Sequence, residues 1–235
     1  MEWLHFGHID GAGITGESQN NMTWVDYLRS ANWNQASGIS FCAYLLGCFA
    51  AGYYLVRSRL GEDIRELGSG SVGARNVGRI LGKTGFLITL LSDFGKGALA
   101  VWIAHHFTKD ERIVALAMVA VVAGHIWPAQ LKFQGGKGMA TSLGALLVFD
   151  PKLTVIYCVL FLGAFVLLWR TVLPGLFALI CVPLVALFLD QDRIEVVLMT
   201  VAAGLVLFAH RKNIADEFSL FLERRHAHAG TDKSL

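Results

Sequence analysis

The sequence predicts an all-α integral membrane protein with seven transmembrane helices and glycine-rich cytoplasmic loops, its N-terminus outside and its C-terminus cytoplasmic. Three observations predict it. Of 235 residues, 54% are AVILMFWYC and only 16% are charged, with a mean hydropathy of +0.53, which excludes most soluble folds and disorder. Apolar runs such as 41–56 and 194–209 approach the roughly 20 residues that cross about 30 Å of hydrocarbon as helix. The basic residues sort unevenly between alternate loops.

Residues 1–38 have no basic stretch followed by an apolar one, so no cleaved signal is expected and the first apolar run stays as an anchor. They read as an extracytoplasmic tail, with Trp3, Trp24 and Trp33 suited to a membrane interface. Spans follow near 40–57, 85–107, 113–130, 138–149, 153–169, 174–189 and 193–210. The fourth is the shortest, at twelve residues or about 18 Å of helix. It crosses only if the glycines before Gly138 join it, and is otherwise re-entrant. Residues 39–214 thus form the membrane domain and 215–235 a cytoplasmic tail.

Orientation follows from charge. Fourteen of the twenty Lys and Arg residues fall in the 57–83 loop, at Lys132, Lys137 and Arg170, and after the last span, whereas five (Arg29, Lys109, Arg112, Lys152, Arg193) lie on the other side and Lys96 lies within a span. By the positive-inside rule the richer side is cytoplasmic. A net charge of only +2 and no basic tract interleaved with aromatics argue against nucleic acid. Cys42, Cys48, Cys158 and Cys181 lie in apolar runs without C-x-x-C spacing and read as buried apolar residues.

Four segments break the apolar background: LGSGSVGARNVGR at 67–79, SDFGKG at 92–97, GHIWPAQLKFQGGKGMATSLG at 124–144 and HRKNI at 210–214. Glycines let successive N–H groups close on an anion, and nearby Arg and Lys supply charge, so the face carrying these segments suits phosphate. The candidate ligands are Gly68, Gly70, Arg75, Asn76, Arg79, Gly136, Lys137 and Gly138, with Ser69 clustered among them. Neither glycine segment satisfies the Walker A spacing, and no strand precedes them as a dinucleotide fold requires. Asp93 and Lys96 share a helical face within a span, where charges must pair or meet a wet cavity. Ser71, Asp93, Lys96 and His125 are therefore candidates for lining the site. His210 and Asn213 fall i and i+3 at the end of the last span and can turn toward one point. His105 and His106 are too weak a signal for a metal, and no metal or cofactor is expected. A membrane transporter of an organic phosphate would also use glycine-broken helices and buried charges, but it needs polar groups along a path from both faces.

The ordered motifs resemble the bacterial acyl-phosphate:glycerol-3-phosphate acyltransferases of the PlsY type. The likeness covers about 70% of the chain, from Gly47 to Ile214: GSGSVGARNVGR is similar to the family's GSGNxGATNxxR, DFGKG to DxxKG, GHIWPAQLKFQGGKGMAT to GHxxPxxLxFxGGKGxAT, and HRKNI to HRxNI. The resemblance implies a seven-helix inner-membrane enzyme that moves a fatty acyl group from acyl phosphate to the 1-hydroxyl of glycerol 3-phosphate. The products would be 1-acylglycerol 3-phosphate (lysophosphatidic acid) and inorganic phosphate, in phospholipid biosynthesis. By position it assigns function to Ser69, Arg79, Lys137, His210 and Asn213, with Lys83 where the family often has a basic residue. Expected partners are the two substrates, membrane lipids and an enzyme that makes the acyl phosphate. Ser71 stands where the family has Asn, and Arg75 where it has Thr. The added arginine leaves open a divergent member with another acceptor. Because an acyl phosphate is already activated and no nucleophile motif is present, direct transfer without an acyl-enzyme is expected.

Overall fold

The structure, a computed structural model, describes residues 32–215, and all its regular elements are helical. Helix α1 (Trp33–Cys48) and α2 (Ala51–Leu60) are followed by a short 3-10 turn at Ile64–Glu66. Then come α3 (Ala74–Phe107), α4 (Glu111–Ile126), a second 3-10 turn at Ala129–Leu131, α5 (Met139–Phe149), α6 (Pro151–Leu168), α7 (Val172–Phe188) and α8 (Arg193–Ala209). Four stretches are long and apolar enough to cross a membrane: Trp33–Leu60, Ala74–Phe107, Glu111–Leu131 and Pro151–Leu168. Met139–Phe149 and Val172–Phe188 are apolar but shorter. Of the expected tails, residues 1–31 and 216–235 lie outside the described residues.

Two features depart from the sequence reading. The run expected as one span at 40–57 is two helices, because Phe49 (ψ 109°) and Ala50 (φ −104°, ψ 78°) leave the helical region. Helix α3 begins at Ala74 rather than near 85 and contains a break at Gly82 (φ 72°, ψ −164°), a conformation open to glycine. The turn that precedes this break carries Arg75 and Arg79, so hydropathy alone reads it as loop.

Each end of the bundle has its own chemistry. At one end Asn32, Asp110, Asp150 and Asp192 cap α1, α4, α6 and α8 by accepting hydrogen bonds from first-turn amides. Each such cap contributes about 1 kcal/mol. The same end is laced together by Arg112 donating to Asp192 at 2.7 Å, Gln191 to Asp150 at 2.7 Å and Gln35 to the Phe107 carbonyl at 2.7 Å. At the opposite end α3 and α5 start at Gly73 and Gly138, neither of which offers a side-chain cap.

Two close helix crossings hold the bundle. A methyl at Gly47 of α1 would lie 2.2 Å from the Val121 carbonyl oxygen of α4, and one at Gly124 of α4 would lie 2.2 Å from the Tyr44 carbonyl oxygen of α1. Helices α3 and α5 repeat the device: Gly97 faces the Thr141 carbonyl and Gly144 the Phe94 carbonyl at 2.1 and 2.0 Å in the same sense. Such small-residue contacts let backbones touch where lipid gives no hydrophobic drive for association. Around them the apolar core gathers Val101, Val114, Val121, Val122, Leu153 and Val206, all fully buried. Gly124→Val forces α1 from α4 and should cost about 1–3 kcal/mol or more. In detergent it should melt several degrees below wild type, whereas Gly204→Ala, with nothing within 4 Å, should leave the melting temperature nearly unchanged.

Candidate active site

The glycine-capped end collects every polar motif except the buried part of SDFGKG. Its first loop is shaped by Asn76, which is 2% exposed. The Asn76 amide donates to the Leu67 and Ser71 carbonyls at 2.9 and 3.0 Å, and its oxygen accepts from the Ser69 amide at 2.9 Å. A side chain at Gly68, where φ is +57°, would meet Asn76 Oδ1 at 2.4 Å. The asparagine expected to hold phosphate is thus turned inward and organises the GSGS loop. Ser69 is left exposed on the outside of that loop. Gly70 also has positive φ (+70°), and Ser71 closes the turn by accepting from the Gly73 amide at 3.3 Å.

The second loop folds back on α4. Gly135 and Gly136 amides donate to the Ile126 and His125 carbonyls, both at 3.0 Å. Gly138 (φ +84°) then starts α5 while packed against Ile126 and Val206, which seats the loop between the ends of α4 and α8. Lys137, half-buried, donates from Nζ to Oδ1 of Asn213.

His210 lies one residue beyond α8 and is buried. Its Nδ1 is 2.8 Å from the Val206 carbonyl oxygen; a carbonyl only accepts, so Nδ1 carries the proton and Nε2 keeps a lone pair. Burial lowers the imidazole pKa from its ordinary 6.5, opposed by the Val206 bond and reinforced by the positive charges of Lys137 and Arg75. The ring is therefore neutral at pH 7, an acceptor at Nε2 beside two cations.

The structure brings together Lys137, Asn213, His210 and, through its charge, Arg75. It joins Ser69, Ser71 and Asn76 in a second group. Arg79 and Lys83 are exposed on either side of the Gly82 break, and neither is paired with these groups. Asp93, Lys96 and His125 lie deeper, 4–5% exposed, and contact one another: Lys96 Nζ is 2.9 Å and His125 Nδ1 3.4 Å from Asp93 Oδ1.

Two residues that the sequence reading passed over tie the loops to one another. Arg65 donates to the Leu131 carbonyl at 2.9 Å while paired with Asp63 at 2.5 Å, which holds the Asp63 carboxyl below its ordinary range. Gln130 donates to the Cys48 carbonyl. No local pattern marks either contact, since the partners are 66 and 82 residues apart.

With the glycine-started α3 and α5, two glycine loops and a cluster of cations at one end, this surface has the donors an oxyanion needs. The family described as glycerol-3-phosphate acyltransferase matches residues 38–219. The chain belongs to this family. It is similar to glycerol-3-phosphate acyltransferase 1 of Desulfitobacterium hafniense (strain Y51), 44% identical over 183 residues, 78% of this chain and 91% of the relative. The glycerol-3-phosphate acyltransferase of Syntrophomonas wolfei is 38% identical over 181 residues, covering 77% and 92%. Among solved structures, the glycerol 3-phosphate form of PlsY, an integral membrane glycerol 3-phosphate acyltransferase, superposes with a TM-score of 0.73 at 31% identity, covering 78% of this chain and 92% of that one. Its lysophosphatidic acid form gives 0.69. The chain is accordingly a membrane acyltransferase.

The Asn76 geometry has a direct test. Asn76→Asp keeps the shape but removes both amide donations and should lower acyltransferase activity at least tenfold, measured on protein purified from membranes at matched amounts. Activity within twofold of wild type would mean the loop does not depend on that amide.

Proposed function

We propose that this enzyme transfers a fatty acyl group from acyl phosphate to the 1-hydroxyl of glycerol 3-phosphate, releasing 1-acylglycerol 3-phosphate and inorganic phosphate. The observation that carries it is the Lys137–Asn213 bond beside a neutral His210: two anion donors and a hydrogen-bond acceptor converge at one end of the bundle. Lys137, Arg79, Arg75 and Lys83, with the amides of the Gly68–Gly70 and Gly136–Gly138 segments, bind the two phosphates and offset charge on the leaving group. Ser69 contacts a reacting group, and His210 and Asn213 orient the acceptor.

In the reaction the acceptor hydroxyl oxygen attacks the acyl carbonyl carbon. The bond from that carbon to the phosphate oxygen breaks, and its electron pair leaves with phosphate. The hydroxyl proton goes to His210 Nε2 or to the departing phosphate. No acyl-enzyme forms. The acyl chain lies among the apolar helices, where each buried CH₂ contributes about 0.8 kcal/mol.

The membrane placement we infer has seven crossings, with α1 and α2 together as the first and α3 to α8 as the rest. The excess of basic residues at the glycine-capped end supports a cytoplasmic site in the inner membrane. Partners are acyl phosphate, glycerol 3-phosphate and the enzyme that supplies the former.

Purified protein given palmitoyl phosphate should release inorganic phosphate only when glycerol 3-phosphate is present, and Lys137→Ala should remove at least 99% of that release. Turnover with some other acceptor would instead assign Arg75 a role in a changed specificity. The His210 ring gives a pH prediction. A pKa below 6.5 keeps Nε2 unprotonated at neutral pH, so kcat/KM should hold from pH 8 to about 7 and fall as acidification protonates the ring. His210→Gln should abolish that acid limb. A residual rate within tenfold of wild type assigns the proton to phosphate, and a loss beyond 100-fold assigns it to the imidazole.

A further inference from the structure

His125 grips the GGKG segment twice. Its backbone carbonyl accepts from the Gly136 amide at 3.0 Å, and its ring faces the same residue so closely that a methyl on Gly136 would lie 2.1 Å from Nε2. The other ring nitrogen, Nδ1, is buried without a hydrogen bond among the described residues and stands 3.4 Å from Asp93 Oδ1. Asp93 is in turn paired with Lys96, which donates to the Phe49 carbonyl at the break between α1 and α2 at 2.7 Å.

A buried ion pair and imidazole add little to stability beyond what well-packed apolar side chains would. What they add here is direction, since a planar ring packed with one edge 3.4 Å from a carboxylate presents its other edge to a fixed point. Gly136 is the residue before Lys137, and Gly138, the residue after it, is wedged against Ile126 and Val206.

We propose that His125 is a positioning residue: its imidazole, held between the Asp93 carboxylate and the Gly136 backbone, sets the path of residues 135–138 and thereby the placement of Lys137. Asp93 and Lys96 thus act on the site from beneath rather than on substrate. The proposal rests on Lys137 being a phosphate ligand.

The test uses the full-length protein in detergent and two readouts. Amide hydrogen exchange of peptides spanning 133–140, read by mass spectrometry, needs no substrate. In His125→Phe it should rise at least tenfold while peptides from α1 and α8 exchange as in wild type. Turnover of palmitoyl phosphate with glycerol 3-phosphate should fall at least tenfold in kcat/KM, and His125→Gln, which keeps a polar group toward Gly136, should regain most of it. In a Lys137→Arg background, His125→Phe should cost less than a further twofold. Unchanged exchange at 133–140, or effects of the two substitutions that multiply in full, overturns the proposal. Should His125→Phe not fold, Asp93→Asn, which removes the carboxylate beside Nδ1, takes its place in the exchange and turnover comparisons, with His125→Gln again as the variant that keeps the contact to Gly136. A wild-type protein that turns over neither substrate would refute the phosphate reading, and the exchange result would then decide the positioning claim alone.

Discussion

The carbonyls of Cys48 and Phe49, exposed where the first long apolar stretch breaks, are the groups on which the rest of this structure depends. Hydrocarbon offers no water to accept or donate at such a break, and an unsatisfied carbonyl there costs several kcal/mol. Gln130 donates to one and Lys96 to the other. Each donor brings its own segment with it. Gln130 draws the 128–131 turn against the end of α1, where Tyr44 also donates to the Trp127 carbonyl at 2.8 Å. Lys96 brings a buried charge that requires Asp93, and Asp93 then faces His125. One interruption in a helix thus orders the floor beneath both glycine loops.

The two ends of the bundle divide the work of helix termini. Aspartates satisfy the first-turn amides of α4, α6 and α8 at one end, which spends those amides on stability. At the other end glycine caps supply no competing oxygen, so the starts of α3 and α5 keep their positive character for an anionic partner. The basic residues collect at that same end. An acyltransferase whose acceptor is glycerol 3-phosphate gains from having attraction and helix polarity act in the same direction. His210 completes the arrangement because burial and neighbouring cations keep it neutral, an acceptor rather than another positive charge.

Ser71 and Arg75 depart from the family pattern in different ways. Ser71 is absorbed into the first loop, where its oxygens accept from Gly73 and Asn76. Arg75 is exposed in the first turn of α3, and its charge reaches His210. The first substitution is accommodated by the loop's own hydrogen bonds, and the second adds to the field of the site.

The sequence by itself determined the helical class, the approximate position of α4 to α8, and the four motif segments, because apolar composition and glycine punctuation are local properties. It also singled out Lys137, His210 and Asn213, which the structure brings together, since HRKNI and GGKG are distinctive as short strings. Tertiary structure decided what those residues face. Asn76 reads in sequence like a phosphate ligand and is turned inward because three loop groups lie within its reach. Asp93 and Lys96 pair as their shared helical face allows, and tertiary structure adds what sequence does not show, His125 beside Asp93 and the Phe49 carbonyl beside Lys96, 47 residues away. The break at Phe49 was invisible to hydropathy because the donors that satisfy it, Gln130 and Lys96, are distant in sequence and fixed by packing, whereas at Gly82 the flanking Arg75 and Arg79 make the start of α3 read as loop.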